Sequence, residues 1–326
     1  MTPSLAAKAS LFFCLLLAPL VQAVEPVTKI AFGSCAKESR PSPIFAAIND
    51  FGPDVWIWMG DNIYGDTSDM TIMKEKWDRQ KNGEGYSRLR ESSIVIGTWD
   101  DHDFGKNDAG KEFAAKAESQ QCFLDFLDVP ADDPRRERQG VYASHTFGEG
   151  DRQVKVILMD TRYHRDLPSE DGDILGEEQW SWLEEELTSS KAPVNLLVSS
   201  IQTVPSEHRF EKWAEFPKAK DRLFALLSRD DVPPVTILSG DRHLAEISVE
   251  KEDVNYPLYD ITSSSLNAAF GGNREEPNKR RIGENFRGTN FGTLEIDWDA
   301  TPPNLKFAIR DEQGVAVREV ELAQKR

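Results

Sequence analysis

Four short apolar runs in this chain each stop at a residue able to hold a metal, and that recurrence constrains the fold more than any other feature. The run Pro53-Asp54-Val55-Trp56-Ile57-Trp58 has the length and β-rich composition of a buried strand. It empties into Met59-Gly60-Asp61-Asn62-Ile63-Tyr64-Gly65-Asp66, which offers a carboxylate, an amide, a phenol and a second carboxylate. Asp61 and Tyr64 are three residues apart, so a tight turn aims both oxygens at one point. A carboxylate and a phenolate are hard anionic ligands suited to a divalent or trivalent cation. Taken alone, the stretch reads equally well as ordinary turn residues. The other strand ends decide the matter. Val27 to Phe32 runs into Gly33-Ser34-Cys35, Ser93 to Trp99 into Asp100-Asp101-His102, and Val235 to Leu238 into Ser239-Gly240-Asp241-Arg242-His243. In open α/β sheets, chemistry collects outside the carboxyl ends of the strands.

Between these ends, helical and strand patterns alternate without an internal repeat or a composition break that marks a linker. Residues 43–49 read as a helix with Ser42 as cap and Pro43 at the first helical position. Helices are also expected over 71–79, 86–92, 111–126 and 220–228, and a short amphipathic one through Trp180, Leu183 and Leu187. Residues 141–145 have the mixed character of a half-exposed antiparallel strand. Val154 to Met159 and Val194 to Val198 are buried-type strands, while Ile247, Val249, Leu258, Ile261 and the 290–320 region alternate like a second antiparallel set. The pattern predicts one domain with two β-rich halves and a site at their seam.

Residues 1–23 read as a secretory signal: Lys8 is the basic region, Leu11 to Leu20 the apolar run, and Val21-Gln22-Ala23 the cleavage site. Removing this segment, which has one lysine and no acid, takes the net charge from -17 to -18. So acidic a chain lacks the basic face that binding a nucleic-acid backbone needs. No other stretch approaches the ~18 apolar residues of a membrane span. A secreted or periplasmic location follows. Beyond Cys14, only Cys35 and Cys122 remain. They could form one disulfide, but Cys35 has a competing use at a strand end, and Cys122 reads as a core thiol on the apolar side of its helix.

Two neighbouring cations bridged by one carboxylate are a recurrent solution for phosphate-ester cleavage, and Asp61 is the natural bridge. Cys35 and Tyr64 pair a soft thiolate with a phenolate, which suits iron better than magnesium. The Asp-x-His spacing of Asp241 and His243 puts both side chains on one side of an extended segment. Beside two carboxylates, His102 reads as a proton donor to a leaving oxygen or a stabiliser of phosphoryl charge. Arg162, after the 154–159 strand, reads equally as a bidentate phosphate clamp or as the partner of an acid. Gln202 reads equally as substrate support or as a polar loop residue. His145, His164 and His208 lie in polar surroundings and read as surface residues, and Ser34 and Ser199 have no obvious activating base.

In order along the chain, Phe32-Gly33-Ser34-Cys35, Met59-Gly60-Asp61-Asn62-Ile63-Tyr64-Gly65-Asp66, Trp99-Asp100-Asp101-His102-Asp103 and Ser239-Gly240-Asp241-Arg242-His243 resemble the PhoD-like branch of the metallophosphatases, the alkaline phosphatase D group. Met159-Asp160-Thr161-Arg162, Leu175-Gly176 with Gln179 and Trp182-Leu183, Ser199-Ser200 and Asn290-Phe291-Gly292 are similar to that family too, so the resemblance covers nearly all of residues 24–326. It implies an α/β (α+β) fold, a four-layer αββα sandwich with two mixed β-sheets. It implies a phosphomonoesterase or phosphodiesterase acting on small phosphate esters or phosphodiesters. Its dinuclear or multinuclear centre would hold Fe(3+) with Ca(2+), or other divalent metals. Carried over by motif, Cys35, Asp61, Tyr64 and His243 surround the first metal. Asp61, a carboxylate of the Asp100-Asp101 pair and Asp241 serve the second. In the wider superfamily an Asn-His-Asp/Glu motif stands where this chain has Asp101-His102-Asp103. Asp101 is then the counterpart of a metal-binding Asn and His102 that of the transition-state histidine, with Asp100 also open as a ligand. The chain departs from the family pattern in lacking room for the long N-terminal extension of many members, and in having Arg242 inside the Asp-x-His motif.

Two functions of different class remain open on this basis. One is a metal-dependent phosphoesterase in which a metal-bound hydroxide attacks phosphorus. The other is a non-catalytic exported protein whose acidic loops bind calcium. Cys35 and His243 discriminate between them, because calcium takes oxygen ligands.

Overall fold

The computed structural model describes residues 25–270 and 276–323. The expected signal segment 1–23 lies outside the described residues. The chain runs through β1 (Lys29–Gly33), α1 (Ile44–Phe51), β2 (Val55–Met59), α2 (Met70–Lys81), α3 (Glu84–Ser92), β3 (Ile94–Thr98), the single turn α4 (Asp101–Phe104) and α5 (Lys116–Phe126). It continues through β4 (Ala143–Phe147), β5 (Val154–Leu158), α6 (Glu177–Ser189), β6 (Val194–Ser199), α7 (Pro217–Leu227), β7 (Thr236–Ser239), β8 (Ala245–Glu250) and β9 (Leu258–Ser263). The last strands are β10 (Arg281–Phe286), β11 (Asn290–Asp297), β12 (Asn304–Asp311) and β13 (Ala316–Ala323). Among the described residues no helix is long and apolar enough to cross a membrane.

The strands form a six-stranded sheet, ordered β13-β12-β11-β1-β2-β3, and a seven-stranded sheet, ordered β10-β8-β9-β7-β6-β5-β4. Both are mixed: β1, β2 and β3 run parallel while β11 is antiparallel to β1, and β5, β6, β7 and β9 run parallel while β4 and β8 are antiparallel. Side chains alternate across a strand, and here both faces are apolar. Ile30, Phe32, Val55, Ile57 and Met59 point into a core shared with Val154, Val156, Leu158, Val194 and Val198 of the other sheet. Their neighbours Ala31, Trp56 and Trp58 point outward onto Ile44, Phe45, Met73, Trp77 and Phe123 of the helices. On the far side, Ile157, Leu197 and Ile237 meet Trp180, Leu183 and Leu223 of α6 and α7. Three apolar layers therefore separate four structural layers, an αββα sandwich, and each fully buried large side chain contributes about 1.5–3 kcal/mol.

Several boundaries differ from the pattern-based ones. The 111–126 helix begins only at Lys116, because the Lys111 N–H is donated to the Arg165 carbonyl at 2.8 Å and the chain turns there first. Ser42 does not cap α1; its hydroxyl accepts from Asn267 Nδ2 at 2.7 Å instead. Cys122 packs against the core from its edge, half-buried and not fully buried as expected, and both it and Cys35 are free.

Candidate metal centre

The strand ends predicted to carry chemistry meet at one place. β1, β2 and β3 are neighbours in the first sheet, and β7 of the second ends beside them: a Cβ on Gly240, just after it, would lie 2.8 Å from the Met59 carbonyl oxygen. The loops are tied together: Ala36 N–H donates to Asp61 O at 2.8 Å. Asp103 accepts from Asn62 Nδ2 at 3.0 Å, Ile63 N at 2.8 Å and Asp100 N at 3.1 Å. Its carboxylate thus binds the loop after β2 to the loop after β3. Cys35, Asp61, Asp241 and His243 all have left-handed backbones, with φ of 58°, 51°, 68° and 54°. That conformation costs a non-glycine residue ~1–2 kcal/mol and gathers at functional sites. It also corrects the extended geometry expected for Asp241 and His243, which converge through a turn. Gly60, at φ 96°, is required by close approach: a Cβ there would lie 2.5 Å from Asp100 Cβ.

All seven residues expected to hold metal come together. Cys35, Asp61 and His243 offer ligand atoms within 4.8 Å of one another, as do Asp61, Asp100 and Asp241, and Asp61, Asp101 and His102. Asp61 belongs to all three groups. Its Oδ2 lies 3.3 Å from Cys35 Sγ and 3.5 Å from the Tyr64 hydroxyl, which is itself 3.3 Å from His243 Nε2. Burial raises the Asp61 pKa well above the carboxylate range, and the charges of Cys35, Asp101 and Asp100 add to it. Burial, then Asp100 and Asp101, do the same to Asp241. Burial also pushes the Cys35 thiol up to about 12. Two oxygens of the cluster, Asp61 Oδ1 and Asp100 Oδ2, are buried without any hydrogen-bond partner. Buried acids short of both hydrogen bonds and counter-charge are unfavourable, and cations bound among these groups would supply what is missing. The donor set therefore fits a dinuclear metal site.

The Asp100-Asp101 pair divides its work. Both oxygens of Asp101 accept backbone N–H groups, from His102 at 2.7 Å and Asp108 at 2.6 Å. Burial opposes its charge, yet Arg162, His102 and the Asp108 N–H together lower its pKa. Asp100 Oδ1 accepts from Arg162 Nε and from Ser200 Oγ, both at 2.6 Å, which leaves Oδ2 open. Burial pushes Asp100 up to about 7 against the pull of Arg162. His102 sits with Nδ1 2.6 Å from Asp66 Oδ1 and its ring on that of Tyr64, centroids 4.2 Å apart. Burial disfavours the imidazolium, but the Asp66 hydrogen bond and Asp101 outweigh it and raise the pKa.

Two expected substrate contacts are placed elsewhere. Arg162 is fully buried, bridging Asp100 and Glu211 with both edges of its guanidinium. This corrects the phosphate-clamp reading, since no donor is left for a ligand to reach. Gln202 is fully buried as well. Its Nε2 donates to Glu246 and Thr262 at 2.8 Å each, and its Oε1 accepts from Arg242 Nε at 3.1 Å, so it holds Arg242 and is not itself a substrate contact. Glu211, unremarked in the sequence, is 7% exposed, pairs with Arg162 and Arg165 and groups with Asp101 and Asp108. No local pattern marks it, because it follows no strand. A cleft of about 590 Å³ opens over the cluster, lined by Asp101, His102, Asp241, Arg242, His243 and Phe270 among others.

Known proteins share this arrangement of layers. The profile of the family described as PhoD-like phosphatase matches residues 30–321. Alkaline phosphatase D of Bacillus subtilis (strain 168) is 20% identical over 266 residues, covering 69% of this chain and 45% of that protein. The chain thus spans about half the length of this curated relative. Among solved structures, that of PhoD superposes with a TM-score of 0.69 at 17% identity, over 91% of this chain and 72% of that one. Purple acid phosphatase PPD1 from yellow lupin (Lupinus luteus) seeds gives 0.65 at 14% identity, over 91% and 54%. A dimetal phosphatase from Danio rerio gives 0.57 at 12% identity, over 92% and 100%. At these identities the likeness of structure is one of fold, and it is the four-layer sandwich with two mixed sheets. With the family profile extending over nearly the whole described chain, the chain belongs to the PhoD-like phosphatase family.

Proposed function

We propose that this chain is an exported, metal-dependent phosphoric ester hydrolase acting on phosphomonoesters or phosphodiesters. The observation that carries the reading is Asp61, a fully buried carboxylate shared by three ligand groups with one oxygen left unpartnered. Membership of the family supports it. Cys35, Asp61, Tyr64 and His243 would hold one cation, and Asp61, Asp100 and Asp241 a second, with Asp101 alongside. Bound there, Fe(3+) with Ca(2+), or another divalent pair, would supply Lewis-acid polarisation of the phosphoryl oxygens and a more acidic water. The thiol, phenol and imidazole beside the carboxylates favour iron at the first position. Export rests on residues 1–23.

The chain's own residues do the rest. His102 is held through Nδ1 by Asp66, which favours the imidazolium against burial, and in that form Nε2–H would pass its proton to the leaving oxygen. Arg162 and Ser200 hold Oδ1 of Asp100 and thereby aim Oδ2. Lys76 Nζ, bonded to the Tyr64 carbonyl at 2.6 Å and the Gly65 carbonyl at 2.8 Å, secures the loop that carries Tyr64 and Asp66.

Metal analysis of the protein, with assays on p-nitrophenyl phosphate and its bis ester, tests the reading. Metal-loaded protein without activity on either ester would sink it. His102→Ala is expected to keep its metals and much of its activity on p-nitrophenyl esters, and to lose ~10²- to 10⁴-fold on alkyl phosphates, whose poor leaving groups need the proton. Equal loss on both ester types would assign His102 to charge stabilisation instead.

A further inference from the structure

The cleft over the cluster is larger than a phosphoryl group needs, and part of its lining is apolar. Phe270 and Leu167 both line it and are 53% and 68% exposed. The other large hydrophobics this exposed among the described residues are Ile72, Ile94, Ile282 and Val315, and none of them lines this cleft. Two exposed apolar side chains lining one polar cleft offer a ligand apolar surface to cover there. Phe270 is tied to the cluster itself. Its ring lies over that of His243 with centroids 4.1 Å apart, and its N–H donates to the His243 carbonyl at 3.4 Å. Phe210, also in the lining, is engaged otherwise: the Arg242 guanidinium lies 4.4 Å and that of Arg209 5.0 Å from its ring centre. The aromatic surface left to a ligand is therefore that of Phe270, next to the residues that would hold the phosphoryl group.

The geometry points to a substrate whose leaving alcohol carries an aromatic ring, packed on Phe270 and against Leu167 while the phosphoryl group lies at the cluster around Asp61. The inference rests on the phosphoesterase reading and narrows its substrate class. In the reaction, the bond from phosphorus to the alcohol oxygen breaks, the oxygen of water bonds to phosphorus, and a proton ends on the released aryl-bearing alcohol. Aromatic contacts of this kind are worth about tenfold in affinity.

The test compares benzylphosphonate with methylphosphonate, two anions that cannot be hydrolysed, by calorimetry on metal-loaded protein. Benzylphosphonate is expected to bind about tenfold more tightly. Phe270→Ala brings the two within about twofold at unchanged metal content, and Phe270→Leu, which keeps apolar bulk without the ring, falls between. Benzyl phosphate and methyl phosphate should differ in kcat/KM in the same sense. Equal affinities in the wild type, a preference that survives Phe270→Ala, or binding of neither phosphonate would overturn the inference. A clear preference for benzylphosphonate in a protein that hydrolyses no ester would instead sink the phosphoesterase reading and leave the aromatic subsite standing.

Discussion

Glu250 and Asp61 are both buried carboxylates, 1% and 0% exposed, and their surroundings drive their acidities in opposite directions. Glu250, at the end of β8, pairs with Arg280 and accepts N–H groups from Lys251 and Glu252 at 2.8 Å each. Burial opposes its charge, but these partners outweigh burial and hold the pKa below the usual range. Asp61 meets burial, a thiol and three more carboxylates, and its pKa rises. The same contrast divides the regions around them. On and beside β8 and β10, Glu246 pairs with Arg281, Glu250 with Arg280 and Glu276 with Arg242. At the strand ends, Cys35, Asp61 and Asp241 are shifted upward by burial, and Asp101, which has Arg162, His102 and the Asp108 N–H, is lowered. A fold tolerates buried acid where it supplies the counter-charge. Where it withholds the counter-charge, the acids resist ionisation, and a cation would bind there by displacing their protons.

Asp61→Asn breaks the contrast most sharply. An amide carries no charge to hold two cations together, so metal content should fall and turnover should drop by ~10²-fold or more. Chelation should lower the melting temperature of the wild type, by the equivalent of about 2.7 kcal/mol at a metal concentration of 100 times Kd, and leave that of the variant nearly unchanged. Scanning calorimetry with and without chelator reads this directly. Full metal content in an active Asp61→Asn protein would refute the bridging role.

Arg162→Met tests whether buried acids next to the cluster depend on their one cation. Asp100 would lose its charged partner inside the protein, while Glu211 would keep Arg165. Breaking a buried pair from one side costs about 3–5 kcal/mol, measurable by urea unfolding. A loss below about 1 kcal/mol would show that this pair is not what holds Asp100 in place.

The architecture was legible because both faces of the central strands are apolar: Val55 to Met59 carries Ile57 to one core and Trp56 and Trp58 to another. The candidate ligands could be picked out because each stands in a local motif shortly after such a strand. What depends on distant partners was not. Arg162 reads equally as a clamp or as the partner of an acid until Glu211, 49 residues away, is placed against it. The left-handed backbones of Cys35 and Asp241 leave no mark on residue spacing. His208 sits among polar neighbours in the sequence and reads as exposed, yet it is 4% exposed, because the chain folds those neighbours and Arg242 around it.

His208 extends the comparison to a buried base. Burial, and then Arg242, Lys212, Arg281 and Lys220, push its pKa down to about 2, so it is neutral in the folded protein. An unfolded histidine protonates near ~6.5. The unfolded chain therefore binds the extra proton below that value, and the stability that neutral His208 permits is lost as pH falls from about 6.5 toward 2. At ~1.36 kcal/mol per unit, the wild type should lose about 2–3 kcal/mol more than His208→Gln between pH 6.5 and 4.5. Parallel losses in the two proteins would mean that His208 is protonated in the folded state.

Glu250→Gln should have the smallest effect, and it examines the balanced side of the contrast. Glutamine keeps an oxygen for the N–H groups of Lys251 and Glu252 and removes only the charge facing Arg280. That arginine is 25% exposed and retains Asp253 at 3.3 Å, so it is not stranded, and the loss at pH 7 should be about 1 kcal/mol. Because the folded pKa of Glu250 is depressed, its contribution is complete above the unfolded value of ~4.3 and disappears as pH falls through the folded value. The gap between wild type and variant should therefore be constant from pH 7 to about 5 and close at lower pH. A gap that persists at pH 2.5 would belong to packing and not to charge. The favourable balance ascribed to the β8–β10 region would then rest on its arginines' contacts and not on the ionisation of its acids.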